Sequence, residues 1–120
     1  MLPPHTEPLR ERLRAAVPAA MKARDRRTVA ALRSALAAID NAEAVEVAID
    51  VRAGAIEASP VGAGSAEVAR RVLTEADIVA LVQAEAADRR AAAAAYEATG
   101  HHDRAIDLAA QADALEAHLS

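Results

Sequence analysis

The sequence predicts an all-α protein, a small bundle of about four helices. Apolar residues recur at three- and four-residue steps along most of the chain, the spacing that places them on one face of a helix. More than half of the apolar residues are alanine, the strongest helix former, and there is no Phe or Trp. Because alanine buries little surface, we expect helices that approach closely and share thin apolar contacts.

The first helix is predicted over residues 9–24, after a proline-rich lead-in. Leu9, Leu13 and Val17 mark its apolar face. Pro18 follows directly and has no amide proton to donate to the helix. We therefore expect a kink at Pro18, which bends the helix or splits it into two pieces.

The second helix is predicted over residues 28–44. The run Asp25-Arg26-Arg27-Thr28 has the composition of a turn followed by a helix cap. The apolar residues that follow lie on one helical face: Val29, Leu32, Leu36 and Ile39. That face predicts packing against a neighbouring helix.

Residues 46–72 are predicted to form a long flexible connection. Apolar and polar residues alternate over residues 45–51, which is locally typical of a strand, although a lone strand has no partner for pairing. Gly54, Pro60 and Gly62 then interrupt any regular pattern. We expect variable conformation in this part of the chain.

The third helix, residues 74–99, has the clearest start and stop signals in the chain. Thr74 is a good N-cap, and Asp77 three positions later completes a capping box. Gly100 suits the left-handed position just past a helix end, and Tyr96, the only aromatic residue of the chain, lies one turn before it. The helix is therefore expected to act as the scaffold of the bundle.

The fourth helix is predicted over residues 102–118. Its apolar face begins at Ala105 or Ile106 and continues through Leu108, Ala112, Leu115 and Leu119. A chain of 120 residues is expected to form one domain with a single modest core.

Several classes of site are excluded by residue type and spacing. The absence of cysteine excludes disulfides, thiolate catalysis and sulfur-ligated metals, which fits a cytoplasmic protein. No apolar run has the length of a signal peptide or a membrane span. His101 and His102 are adjacent and point about 100° apart on a helix, so they do not form a metal-binding pair. We predict no catalytic residue, no cofactor and no metal site.

The charge of the chain is unevenly distributed. Residues 1–40 contain eight Lys or Arg and four Asp or Glu, a balance of +4, whereas residues 41–120 contain six and fourteen, a balance of −8. The densest basic set surrounds the first interhelical turn: Lys22, Arg24, Arg26, Arg27 and Arg33. This set is suited to phosphate contacts, with the alternative that it pairs within the protein or faces water. With a single aromatic residue, nucleic-acid contact is expected at the backbone rather than through base stacking.

Short motifs in a fixed order carry a family resemblance. They are Met21-Lys22-Ala23-Arg24-Asp25, Leu32-Arg33-Ser34-Ala35-Leu36-Ala37-Ala38-Ile39, Asn41-Ala42-Glu43, Leu73-Thr74-Glu75, Arg89-Arg90, Tyr96, Gly100 and Leu115-Glu116-Ala117-His118-Leu119. In this order the sequence resembles the bacterial GatB/YqeY family. The resemblance implies an all-helical N-terminal module, usually joined to a second helical domain similar to the tail of the B subunit of glutamine-dependent aminoacyl-tRNA amidotransferase. In that enzyme the tail helps to engage tRNA.

The end of the sequence departs from this pattern. His118-Leu119-Ser120 stands where the family has a Tyr-Leu-Pro junction, so we expect a single YqeY-like domain over residues 1–120, without the tail domain.

Three functional hypotheses remain open. The first is a binding or adaptor module for tRNA or an aminoacyl-tRNA amidotransferase, with Arg89, Arg90 and Tyr96 as further contact residues beside the basic set. The second is a structural protein–protein module, including a homodimer through alanine-rich faces, without nucleic acid. The third is carbon–nitrogen ligase activity, which the resemblance implies by association and for which no catalytic residue is identified.

Overall fold

The computed structural model describes residues 7–58 and 73–119, with described side chains over 7–44 and 73–119. These ranges form four helices: α1 (Leu9–Lys22), α2 (Arg26–Ala58), α3 (Glu75–Ala98) and α4 (His102–Leu119). The predicted all-α fold is confirmed, and no strand occurs within the described ranges. The helices form two hairpins, α1–α2 and α3–α4, which pack on each other mainly through α2 and α4.

The second helix is longer than its sequence pattern predicts. It continues without interruption through the alternating residues 45–51, so the local strand signal is wrong. Alanine and glutamate between the branched residues are good helix formers, and no proline occurs between Pro18 and Pro60. The predicted connection thus begins in helical backbone, and residues 59–72 lie outside the described part of the chain, as does the lead-in before residue 7.

Pro18 lies inside one continuous helix. The expectation that α1 splits into two pieces is therefore wrong. The proline ring is exposed to solvent, whereas Leu13 and Ala20 on either side of it are buried against the rest of the bundle. The lost backbone hydrogen bond costs less than it would in an unpacked helix, because tertiary contacts hold both halves of α1 in place.

The start of α3 caps two helices. The Thr74 hydroxyl accepts a hydrogen bond from the Asp77 amide at 3.0 Å, and the Thr74 amide donates to the Asp77 carboxylate at 3.0 Å, which confirms the predicted capping box. Pro8 provides no side-chain cap for α1. Instead, the Leu9 amide donates to Glu75 Oε2 at 2.8 Å. The first turn of α3 therefore supplies the carboxylate that α1 needs at its positive end.

The main core lies where all four helices meet. Its largest fully buried side chains are Leu9, Leu13, Leu32, Ile39, Val82 and Leu115. Toward the other end of the α3–α4 hairpin the buried residues are mostly alanines, with Leu108 among them. Ala105 is buried and Ile106 is 54% exposed, so Ala105 begins the apolar face of α4. No helix in the described ranges has both the length and the apolar composition required to cross a lipid bilayer.

Candidate functional site

The turn between α1 and α2 has an arginine in a position that usually requires glycine. The Asp25 amide donates to the Ala20 carbonyl at 3.0 Å, and the Arg24 amide donates to the Met21 carbonyl at 3.0 Å. These two bonds define a Schellman motif, whose left-handed residue is most often glycine. Here that residue is Arg24, with φ at +58°. A side chain in this conformation costs about 1 kcal/mol relative to glycine.

The turn between α3 and α4 has the same hydrogen bonds with the usual residue. The His101 amide donates to the Tyr96 carbonyl at 2.9 Å, and the Gly100 amide donates to the Glu97 carbonyl at 3.2 Å. Gly100 has φ at +82°, as its position in the sequence predicted. The two hairpins thus share one turn geometry, and only the first carries a guanidinium at its left-handed residue.

Asp25 fixes the direction of α2 as it leaves this turn. Its carboxylate accepts hydrogen bonds from the Thr28 hydroxyl at 2.6 Å and from the Thr28 amide at 3.1 Å. Its carbonyl accepts the first intrahelical bond, from Val29. The hydrogen bonds from Thr28, together with the charge of Arg27, lower the pKa of Asp25 from its ordinary value. Asp25 is therefore an N-cap that is most effective when ionised.

We expect Asp25→Asn to lower the thermal stability at neutral pH and to have a smaller effect in acid. The folded-state pKa of Asp25 is lowered, so its carboxylate stabilises the fold fully above the aspartate pKa of the unfolded chain. That contribution is lost as the pH falls through the lower, folded-state pKa. Thermal unfolding from neutral pH to about pH 3 checks this expectation. Asp88→Asn, which removes an exposed carboxylate from α3, is the control; a difference for Asp25→Asn that stays constant with pH would contradict it.

An open groove lies beside this turn. We call it the basic groove, with a volume of about 590 Å³ and the lining residues Met21, Arg24, Arg26, Val29, Ala30 and Arg33. Met21, Val29 and Ala30 form an apolar floor, and Met21 is 51% exposed. The Arg33 guanidinium lies 3.6 Å from the Met21 sulfur. The groove therefore combines exposed apolar surface with three cationic side chains.

The cations of the basic set differ in how they are paired. Within the described part of the chain, Lys22, Arg24 and Arg26 form no ion pair, and the Arg33 side chain forms one hydrogen bond, to the thioether of Met21. Arg27 is different, because its Nε lies 3.1 Å from Asp107 Oδ1 on α4. The structure thus leaves four of the five predicted basic residues available at the turn and uses the fifth to join α2 to α4.

Arg89 and Arg90 are both engaged within the α3–α4 hairpin. The Arg89 side chain is 13% exposed and donates to Glu85 and to Gln111, each at 3.1 Å. Arg90 donates to Asp113 and Glu116 on α4. Hydrogen bonds from Arg90 lower the pKa of Glu116, and the same bonds, first to Glu116 and then to Asp113, raise the pKa of Arg90. These guanidiniums hold the hairpin together instead of forming a second free basic patch.

Tyr96 lies at the end of the bundle that also carries the basic groove. The Arg27–Asp107 ion pair places the two interhelical turns at this end. Tyr96 is 38% exposed, the Arg104 guanidinium carbon lies 5.9 Å from its ring centroid, and the His101 ring meets it edge-on at 5.8 Å. The cation over the ring and the imidazole at its edge leave only part of the Tyr96 surface for a partner.

Two further histidine contacts lie at the α3–α4 turn. His101 Nδ1 lies 2.9 Å from the Thr99 hydroxyl, and His102 Nδ1 lies 2.8 Å from Glu97 Oε1. No group of three or more His, Asp or Glu residues in the described ranges is arranged to hold a metal ion. The polar groups at this turn stabilise its conformation.

The fold and the basic groove together define a bundle of two helical hairpins with a cationic surface at one end. No protein-family model, curated protein or solved structure matches the chain. The sequence revealed the cations of this surface but not its apolar floor. A signal was present, because Met21 follows Ala20 and points about 100° away from the apolar face of α1. A large apolar residue away from the packed face predicts exposed apolar surface, which is common for single residues, so only its place among the cations of the turn distinguishes Met21.

Proposed function

We propose that this protein is a helical binding module that contacts the phosphate backbone of RNA with the turn between α1 and α2. The observation that carries the proposal is the distribution of ion pairs. Lys22, Arg24 and Arg26 form none in the described ranges, whereas Arg89 and Arg90 are paired with carboxylates. Unpaired, exposed guanidinium and ammonium groups clustered at one turn are suited to phosphate oxygens.

The charge of the rest of the molecule supports a single mode of approach. The whole chain has a net charge of −4, and residues 41–120 alone carry −8. A polyanion is repelled by the acidic surface and attracted by the basic turn, so the overall field orients RNA toward the α1–α2 end. Binding of this kind is strongly salt-dependent and has little sequence preference.

The backbone at Arg24 also supports the proposal. A residue with a side chain is held there in the left-handed conformation, at a cost of about 1 kcal/mol that Gly100 avoids in the equivalent turn. Strained backbone positions concentrate at functional sites, where they fix the direction of a side chain. The rigid Schellman turn presents the Arg24 guanidinium beside those of Arg26 and Arg33.

The resemblance to the GatB/YqeY family suggests which RNA this is. In the amidotransferase of that family, the helical tail helps to engage tRNA while the ATP- and ammonia-dependent chemistry takes place elsewhere. That tail is not expected within residues 1–120, so the tRNA contact proposed here is made by the basic turn itself. We therefore propose tRNA as the ligand and an adaptor role beside a tRNA-dependent amidotransferase. This role requires no catalytic residue in the chain itself.

The proposal is tested by titrating bulk tRNA against the double variant Arg24→Gly with Arg26→Ala. We expect the slope of log affinity against log salt concentration to fall by about 2, because two phosphate contacts are lost. Affinity at low salt should fall at least tenfold. Glycine suits the left-handed position, so Arg24→Gly should also raise the free energy of unfolding by about 1 kcal/mol. Weaker binding by a more stable protein excludes unfolding as its cause.

The matched control is Arg14→Ala with Arg104→Ala. Both residues are exposed arginines paired with carboxylates, Arg14 with Glu11 and Arg104 with Asp107, so the control makes the same change in net charge. We expect it to keep most of the affinity and the salt slope. Equal losses in the two double variants, or no tRNA binding by the unaltered protein at low salt, would contradict the proposal and favour a protein–protein module.

A further inference from the structure

We infer that the basic groove is a subsite for one unpaired nucleotide, whose base lies on the floor formed by Met21, Val29 and Ala30 while its flanking phosphates lie against Arg24 and Arg26. This inference rests on the proposed function and makes it more specific. A subsite of this kind would favour single-stranded RNA over a plain duplex, whereas the positive charge of the turn attracts both.

The apolar floor carries the inference. Met21 is one of three large apolar side chains of the described ranges that are exposed, and it lines the same groove as three arginines. The phosphates of a duplex make use of the cations but gain nothing from exposed thioether and methyl groups. The face of an unpaired base is largely apolar, so covering the floor with it removes apolar surface of both partners from water.

Arg33 adds a second surface for the base. Its guanidinium lies 3.6 Å from the Met21 sulfur and, within the described ranges, is not neutralised by a carboxylate. Guanidinium planes serve as stacking surfaces for unpaired bases in RNA-binding proteins. The groove volume of about 590 Å³ also lies within the usual range for sites that hold small molecules.

The groove offers a surface for a base even though the chain has only one aromatic residue. The composition predicts backbone contact without stacking, because Tyr96 is the only aromatic side chain. A methionine, a valine and an arginine brought together by two helices provide an alternative to an aromatic platform. The base is then held by burial and by a guanidinium, with modest affinity and little preference among bases.

The experiment compares two RNA hairpins of identical charge in fluorescence anisotropy. One hairpin has a single-stranded 3′ extension of adenosines, and the other has an extension of the same length built from abasic nucleotides. Both carry the same phosphates, so any difference in affinity comes from the bases. We expect the adenosine extension to bind about fivefold more tightly. This is the low end of the range for a base stacked on an aromatic side chain, because the groove offers a thioether and a guanidinium instead.

Met21→Ala should abolish this preference for the adenosine extension and leave the affinity for the abasic hairpin unchanged. Ile106→Ala is the matched control, because Ile106 is 54% exposed, close to the 51% of Met21, and lines a different depression between α3 and α4. This control should keep the preference. Equal binding of the two hairpins, or a preference that survives Met21→Ala, would overturn the subsite. Failure of both hairpins to bind at low salt would overturn the proposed function instead.

Discussion

Leu32→Ala is expected to lower the free energy of unfolding by about 2–5 kcal/mol. Leu32 is fully buried in the cluster to which all four helices contribute. Its neighbours in that cluster include Ala31, Ala35 and Ala86, whose methyl groups cannot turn to fill the space that the missing carbons leave. The loss is large for a domain of this size, whose total stability is typically about 5–15 kcal/mol.

Urea unfolding followed by far-ultraviolet circular dichroism measures this effect. Ile106→Ala provides the comparison, because it removes a large apolar side chain that is more than half exposed and should change stability by only about 0.5 kcal/mol. A loss below about 1 kcal/mol for Leu32→Ala would show that the helices close around the deleted side chain. The alanine-rich core would then be more deformable than its burial indicates.

Local signals in the sequence predicted the fold well. The capping box at Thr74 and the left-handed Gly100 depend on residues within a few positions of each other, and both are present in the structure. The strand signal at residues 45–51 failed because alternation over so few residues carries less weight than the helix-forming residues around it. Pro18 did not split α1, because burial of the residues on either side outweighs one missing hydrogen bond.

The basic groove was only partly predictable, since the pairing of its neighbouring cations depends on contacts between distant segments. Sequence proximity was enough to group Arg24, Arg26 and Arg33 around one turn. The partners of Arg27 and Arg90 lie on α4, far along the chain, so no local pattern indicated that these residues are paired. Arginines at different positions thus have different roles. Those with a carboxylate nearby form ion pairs within the protein, whereas Arg24 and Arg26 form none within the described ranges.

Arg10 joins α1 to α2 near the core by pairing with two carboxylates of α2, those of Glu43 and Asp40. The Arg10 guanidinium donates a hydrogen bond to the Glu43 carboxylate, and Glu43 is only 8% exposed. The same guanidinium lies 3.8 Å from the carboxylate of the exposed Asp40. The Arg10 side chain is itself 21% exposed. Arg10 Nε is buried and has no hydrogen-bond acceptor within the described ranges. The pair therefore bears a desolvation cost that its own contacts do not fully offset.

Arg10→Met should be the more harmful of the two single substitutions. It leaves the Glu43 carboxylate buried without a cation, and we expect a loss of about 3 kcal/mol in the free energy of unfolding. Glu43→Met should cost less, about 1–2 kcal/mol, because Arg10 keeps Asp40 and some contact with water. Methionine preserves apolar length at both positions, so these losses report on the charges rather than on packing.

The double variant shows whether the ion pair makes the fold more stable than two apolar side chains would. Two methionines remove both the unpaired charge and the buried Nε, so the Arg10→Met, Glu43→Met protein should unfold within about 1 kcal/mol of the unaltered chain. The coupling energy, which is the loss of the double variant minus the two single losses, then has a magnitude of about 3–5 kcal/mol, measured by urea unfolding of all four proteins. Additive losses in the double variant would contradict this account. They would mean that each side chain acts through its own packing, and that the ion pair contributes little to the junction of α1 and α2.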